Sequence, residues 1–327
     1  MKKAFKVLGY LMLGIIVLLA AALTYVKLAL PNVGEAPQLT VQATPEKIAR
    51  GEYLANHVTV CMDCHSKRDW TKFSGPVTPG TLGMGGDRFD ESVGMPGVFY
   101  AKNVTPAGIN RYSDGELFRL ITTGVTKEGR AMFPLMPYPY YGKMDAEDVE
   151  AIIAYLRSIP SIKNDVPDSK PSFPMNFIIN TIPQKAVLTK RPDTTDILAY
   201  GGYLTNAAGC VECHTPVEQG RIIPEKSFGG GRVFLFPDGS ELRSSNISPH
   251  KTGIGSWTEA MFVQRFKAYA DSNYTPPAVK QGEFNSIMPW TMYAGMKESD
   301  LKAIYTYLIT VQPQENMVEK FVPKGEK

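Results

Sequence analysis

The sequence predicts a mostly α chain: one N-terminal transmembrane helix, then two tandem copies of one small helical unit. Three observations predict this. A mostly apolar run covers Val7 to Val26. A set of short motifs occurs twice in the same order. Each set ends in a segment whose apolar residues recur every three or four positions, the spacing of one helix face.

The first element is the apolar run. Twenty such residues cross a bilayer as a helix. Lys2, Lys3 and Lys6 precede it and favour a cytoplasmic N-terminus, which exports everything after it. Residues 1–30 are therefore assigned to a single anchor in the cytoplasmic membrane, with the rest on the periplasmic side. A cleaved signal peptide is the rival reading, because Ala20-Ala21-Ala22 resembles a cleavage site. Leu23 to Leu30 stays mostly apolar, which suits an anchor better. The 327 residues carry a formal charge of +3; residues 1–30 hold four lysines and no acidic residue, which leaves −1 for the remainder. No basic patch marks a nucleic-acid partner.

The repeat comes next. Gly51-Glu52-Tyr53-Leu54 recurs as Gly201-Gly202-Tyr203-Leu204, and Gly85-Gly86-Asp87-Arg88 as Gly229-Gly230-Gly231-Arg232. This register sets Arg88 opposite Arg232 and Met84 opposite Phe228. Asn103-Val104-Thr105-Pro106 returns as Asn246-Ile247-Ser248-Pro249, and Met136-Pro137-Tyr138 as Met288-Pro289-Trp290. The span from Ile109 to Ser113 matches that from Ile254 to Thr258. The copies are placed at 45–160 and 194–315. Each should begin with a short helix, near 45–56 and 194–206. Each should end with an amphipathic helix, through Asp148–Leu156 and Leu301–Leu308. Asp145 is a good N-cap for the former; Lys297 holds the matching place in the latter and is a poor one. The middle of each copy is rich in Gly, Pro and Asn and lacks strand alternation, so it reads as loops and short helices. Between the copies, residues 161–193 are proline-rich yet apolar at Phe173–Ile182. They read as an extended strap along both units, or as a plug on one of them.

The chemistry sits in Cys61-Met62-Asp63-Cys64-His65 and Cys210-Val211-Glu212-Cys213-His214, which use all four cysteines. Cys-x-x-Cys-His is the attachment signature of c-type haem. Two thiols one helical turn apart share a face, so each can bond a haem vinyl group, while the adjacent imidazole binds the iron. This implies two covalently bound haems, with His65 and His214 as metal ligands. A disulfide within each pair leaves the histidine unexplained. A four-cysteine zinc site must join pairs 146 residues apart. A thioredoxin-like motif lacks its βαβ setting.

Helix, Cys-x-x-Cys-His, loops, Met-Pro, helix is the order of class I cytochrome c domains. The chain resembles membrane-anchored dihaem cytochromes c over roughly residues 45–315. It is particularly similar to the cytochrome c subunits of bacterial alcohol and gluconate-type dehydrogenases, which usually carry three such domains where this chain has two. The resemblance implies a methionine sulfur opposite each histidine, a soft neutral ligand that favours reduced iron. Met136 and Met288 are the choice, 71 and 74 residues after their histidines. Met144 and Met296 also repeat and are the competitors. Arg88 and Arg232 are candidates to pair with haem propionates, or ordinary surface arginines. Tyr112 and Trp257 either edge the haem or pack in the core. Tyr155 and Tyr307 read as helix-interface residues, His57 and His250 as solvated loop histidines.

The expected function is electron transfer, with no catalytic residue in this chain. Electrons would pass from a dehydrogenase subunit or quinol-oxidising complex to a soluble cytochrome or terminal oxidase. The alternative is a haem enzyme, such as a dihaem peroxidase or a thiosulfate-oxidising cytochrome. A peroxidase must open a coordination position, and thiosulfate enzymes of this kind use a cysteine ligand; no cysteine is left over here.

Overall fold

The computed structural model describes residues 2–325. Its elements are mostly helical. Helix α1 (Lys2–Leu28) is followed by α2 (Pro45–Tyr53), which opens into a π turn at Leu54–Val58. One-turn helix α3 (Cys61–Cys64), short α4 (Pro106–Ile109), α5 (Asp114–Thr123), short α6 (Tyr138–Tyr141) and α7 (Ala146–Ser158) complete the first copy. Short α8 (Met175–Ile178) lies in the strap. The second copy contains α9 (Ile197–Ala207), one-turn α10 (Cys210–Cys213), α11 (Glu259–Lys267), short α12 (Trp290–Tyr293) and α13 (Glu298–Leu308).

The sequence signals explain the ends of these helices. Thr44 accepts from the Lys47 amide with Pro45 at the first position, and Asp145 accepts from the Glu147 amide, so both expected starts are real caps. Helix α5 carries a capping box between Ser113 and Glu116, and Thr258 caps α11. These two helices lie where the reading placed loops and short helices; Ser-x-x-Glu was the signal for the first.

Each copy is built on one helix crossing, α2 on α7 and α9 on α13. A Cβ on Gly51 would lie 1.8 Å from the Ala151 carbonyl oxygen, and one on Gly201 1.9 Å from that of Ala303. Only glycine lets the backbones come this close, which explains Gly-x-Tyr-Leu at both positions. Tyr155 is buried beside the first crossing; Tyr307 is half-buried against Gly202 at the second.

Small sheets occur where none was expected. Strands β1 (Arg88–Phe89) and β2 (Gly97–Tyr100) pair antiparallel, and β3 (Lys170–Pro171) adds to β2. A hairpin, β4 (Val217–Glu218) with β5 (Arg221–Ile222), follows. Strands β6 (Val233–Leu235) and β7 (Glu241–Arg243) pair antiparallel, and β8 (Phe321–Val322) adds to β7. Runs of two to four residues are too short to display alternation. In both copies the chain leaving the last helix returns as the third strand. Residues up to Pro171 thus pack as part of the first copy, and the second continues past 315.

The bonds of the strap run to the first copy and to α1 rather than along both copies. The Val187 amide donates to the Gly142 carbonyl at 2.8 Å, and the Arg191 amide to the Asp145 carboxylate at 2.7 Å. The copies themselves meet through a reciprocal pair of contacts. The Tyr53 hydroxyl donates to Asp300 at 2.6 Å and accepts from the Lys297 amide at 3.1 Å. The Tyr203 hydroxyl donates to Asp148 at 2.7 Å and accepts from the Asp145 amide at 3.2 Å. Each tyrosine thus serves the first turn of the other copy's last helix, the self-complementary pattern of a two-fold interface. Tyr53 thus satisfies the amide of Lys297 itself, as Tyr203 does that of Asp145. A single apolar core runs through both copies.

Candidate functional site

Each Cys-x-x-Cys run folds as one helical turn entered through a left-handed residue. Val60 has φ 45° and Gly209 has φ 65°. All four cysteines are unpaired. Burial pushes the thiols up, Cys64 and Cys210 to about 12 and Cys213 to about 11. A redox dithiol needs the opposite shift. Among the described residues no cluster of three or more His, Cys, Asp or Glu is arranged to hold a metal ion.

The histidines are held alike. His65 Nδ1 lies 2.6 Å from the Lys102 carbonyl oxygen, and His214 Nδ1 lies 2.7 Å from that of Ser245. A carbonyl can only accept, so Nδ1 carries the proton and Nε2 keeps its lone pair. Burial lowers both pKa values, which keeps the rings neutral, while the carbonyl bonds oppose the shift. Neutral imidazole with Nδ1–H on a carbonyl is the usual preparation of a metal-binding histidine.

The repeated motifs turn out to be the frame around these rings. The Gly85 amide donates to the His65 carbonyl and the Gly230 amide to the His214 carbonyl, both at 2.8 Å. The Asn103 side chain accepts from Thr105 and donates to the Ile162 carbonyl; Asn246 does the same with Ser248 and Gln314. Asn-x-Thr/Ser-Pro is therefore a clamp on the chain leaving the last helix.

These bonds also correct the register. Gly85 matches Gly230, and the Asp87 and Arg232 carbonyls accept from equivalent amides, Ala101 and Ser244. Arg232 is thus the counterpart of Asp87, Arg88 falls opposite Val233, and Phe228 falls opposite Gly83 rather than Met84. The sequence alignment slipped by one because the run of three glycines, Gly229 to Gly231, offers two equal matches. Arg88 is exposed and pairs with Asp90 at 2.8 Å. Arg232 pairs with Glu212 inside the second motif. Asp87 is half-buried, and burial raises its pKa to about 6.

Met136 and Met288 open identical tight turns. The Tyr138 amide donates to the Met136 carbonyl at 2.7 Å and the Trp290 amide to the Met288 carbonyl at 2.8 Å. Pro137 (φ −78°, ψ 51°) and Pro289 (φ −79°, ψ 66°) stand at the centre of each, in inverse γ-turn geometry. The proline ring fixes that φ in advance. Tyr141 then ties its turn to the chain before Cys61, donating to the Thr59 carbonyl at 2.9 Å; Tyr293 does so before Cys210, donating to the Ala208 carbonyl at 2.8 Å. Met144 and Met296 are almost fully buried in the core.

A cavity of about 2420 Å³ includes Cys61, Cys64, His65 and Met136 in its wall and extends to Cys213, Tyr293 and Arg232. This exceeds the roughly 300–1,000 Å³ of an ordinary small-molecule pocket. Met288 lies outside that wall, half-buried against the core. Arg88 and Tyr112 are in the wall; Trp257 packs against the core.

Two features escaped the sequence. Arg68 is buried, donates to Asp63 at 2.7 Å and to the Ser74 carbonyl at 2.7 Å, and lies over the Trp70 ring. Its counterpart in the second copy is Val217, so the repeat gave no signal. The loop that Arg68 holds reaches the other copy: the Ser74 hydroxyl donates to the Met288 carbonyl at 2.5 Å and accepts from the Trp290 amide at 3.2 Å. His57 is half-buried between the copies, with Nδ1 2.8 Å from the Met292 carbonyl, rather than solvated in a loop. His250 bonds Thr252 within its own turn.

No family model matches the chain. It is 27% identical over 300 residues to the cytochrome c subunit of a quinone-type alcohol dehydrogenase from Gluconacetobacter polyoxogenes, covering 86% of this chain and 59% of that one. It is 26% identical over 312 residues to a gluconate 2-dehydrogenase cytochrome c subunit from Pantoea cypripedii, covering 87% and 66%. A diheme cytochrome c-type protein from Cereibacter sphaeroides is 27% identical over 262 residues, covering 76% and 80%. The chain thus spans about three fifths of the length of the alcohol dehydrogenase subunit.

Proposed function

We propose that this chain is an electron carrier: a membrane-anchored protein of two tandem class I cytochrome c domains, centred on 45–160 and 194–315 with their third strands at Lys170–Pro171 and Phe321–Val322, each holding one covalent c-type haem. The observation that carries the reading is the twice-built imidazole. In each copy a backbone carbonyl takes the Nδ1 proton and leaves Nε2 as a donor beside two unpaired thiols. That donor set fits haem, with Cys61, Cys64 and His65 holding one group and Cys210, Cys213 and His214 the other. Bound haem supplies one-electron oxidation and reduction at iron.

The other residues orient and enclose. Met136 and Met288 are the proposed opposite ligands, supported by the proline-centred turns and by the tyrosine ties to each motif. Met144 and Met296 are already committed to the core. Arg88 and Arg232, both in the cavity wall, are the proposed propionate partners; each would have to share its present carboxylate.

The relatives named above support a dehydrogenase as donor; a quinol-oxidising complex is the other donor proposed, and a soluble cytochrome or terminal oxidase is the proposed acceptor. Helix α1, with none of its described residues buried, is the proposed anchor, and the haem domains lie outside the cytoplasm. A haem-enzyme role would need an open iron position, which the Met-Pro turn of each copy closes.

The test is spectroscopic. Met136→Ala and Met288→Ala should each remove about half of the sulfur–iron absorption at the red edge of the oxidised spectrum. Together they should abolish it. Persistence of that band in the double variant overturns the ligand assignment.

A further inference from the structure

Lys27, in the last turn of α1, donates to the Asn176 carbonyl at 3.0 Å and lies 4.8 Å from the centre of the Phe177 ring. The strap is therefore fastened to the end of the N-terminal helix. A bilayer core of ~30 Å takes about 20 helical residues. The apolar run from Val7 to Val26 fills it, and Lys27 then marks the membrane–water boundary. Whatever Lys27 binds lies at that level.

The strap is suited to the position. Phe173 is 80% exposed and Ile178 45% exposed beside the end of the span, with Val187 72% exposed further along. Large apolar side chains facing outward next to a bilayer end bury themselves among lipid headgroups. Its charge agrees. Residues 169–192 contain no acidic residue and four basic ones, Lys170, Lys185, Lys190 and Arg191, although the chain beyond residue 30 is net −1. Arg191 is taken by Asp148, while the three lysines are exposed. An apolar stripe flanked by lysines fits an anionic lipid surface.

We infer that residues 169–190 form a second membrane contact, lying in the headgroup region of an anionic bilayer. This rests on the anchor reading proposed above. Lys27, Leu30, Asn176 and Ile179 belong to the same cavity wall as Cys61 and His65 of the first copy and Cys213 of the second, so this contact lies beside the cavity that both sites share.

With all four cysteines in thioethers, an introduced cysteine is the only free thiol. The full-length haem protein is placed in vesicles of phosphatidylcholine and phosphatidylglycerol, carrying a nitroxide at Phe173→Cys, Ile178→Cys, Leu19→Cys or Met317→Cys. Collision with oxygen, which concentrates in lipid, is compared with collision with a water-soluble nickel chelate. Labels at 173 and 178 should show a several-fold higher oxygen-to-chelate ratio than the label at 317. Equal ratios at 173, 178 and 317, with residue 19 in lipid, overturn the second contact and leave the anchor standing. A water-exposed residue 19 overturns the anchor reading and this inference with it; haem content and spectrum report on the electron-carrier reading separately.

Discussion

Ser74 belongs to the first copy yet holds the second methionine turn. It sits at φ 64°, a left-handed value that costs an L-residue energy, and Arg68 fixes it there through its carbonyl. Its hydroxyl closes both ends of the Met288 turn, and among the described residues no side-chain bond of this kind reaches the Met136 turn. Ser74→Ala should remove both bonds that fasten this turn to the first copy while the Trp290 amide keeps its bond to the Met288 carbonyl, at a cost of about 0.5–1.5 kcal/mol. It should diminish the Met288 share of the sulfur–iron band while the Met136 share persists. A fall in melting temperature with an unchanged band would make Ser74 merely structural. Asp148 gives a pH prediction. Burial pushes its pKa up, but bonds and charge from Arg50, with Tyr203 and Arg191, more than offset this, and the net shift is downward. A carboxylate depressed on folding contributes stability above its unfolded pKa of about 4, and this contribution fades as pH falls through the folded value. Asp148→Asn should be less stable at pH 7, by about 3–5 kcal/mol for a broken buried pair, and should show a shallower loss below pH 4. Urea unfolding at several pH values checks both.

At the scale of elements, the helix crossings decide the fold of each unit. In an exposed helix, replacing Gly by Ala gains about 1 kcal/mol. At Gly51 or Gly201 the added carbon meets a carbonyl below 2 Å, so the sign reverses. Gly201→Ala should destabilise by about 1–3 kcal/mol or more, from overpacking, as measured by urea unfolding. The first and last helices of each unit were readable from their caps and apolar stripes because those signals are local. The third strands, β3 and β8, were not readable: a two-residue strand has no periodicity, and its partner lies 72 to 81 residues away.

At the scale of the molecule, the interface between copies includes two matching hydroxyl–carboxylate bonds, Tyr53 to Asp300 and Tyr203 to Asp148, beside the Ser74 contacts with the Met288 turn. Hydrogen bonds to charged groups are worth about 1.5–3 kcal/mol. Tyr53→Phe and Tyr203→Phe should each cost about that much, and their costs should add if the two ends act independently. Thermal unfolding followed in the haem band and in far-ultraviolet dichroism tests this; unchanged stability in the double variant would mean that these two bonds contribute nothing and the other contacts join the copies.

The sequence by itself determined the apolar helix, the doubling of one unit, the Cys-x-x-Cys-His chemistry and the Met-Pro turns. All of these are encoded within a few consecutive residues, where spacing fixes geometry. Tertiary structure alone decided the register of the glycine run, the pairing of Arg232 with Glu212, the burial of His57, the docking of the strap on α1 and the reach of Ser74 to Met288. Those contacts join residues far apart in sequence, and which of them form depends on how the helices cross and the copies dock. No local pattern carries that information.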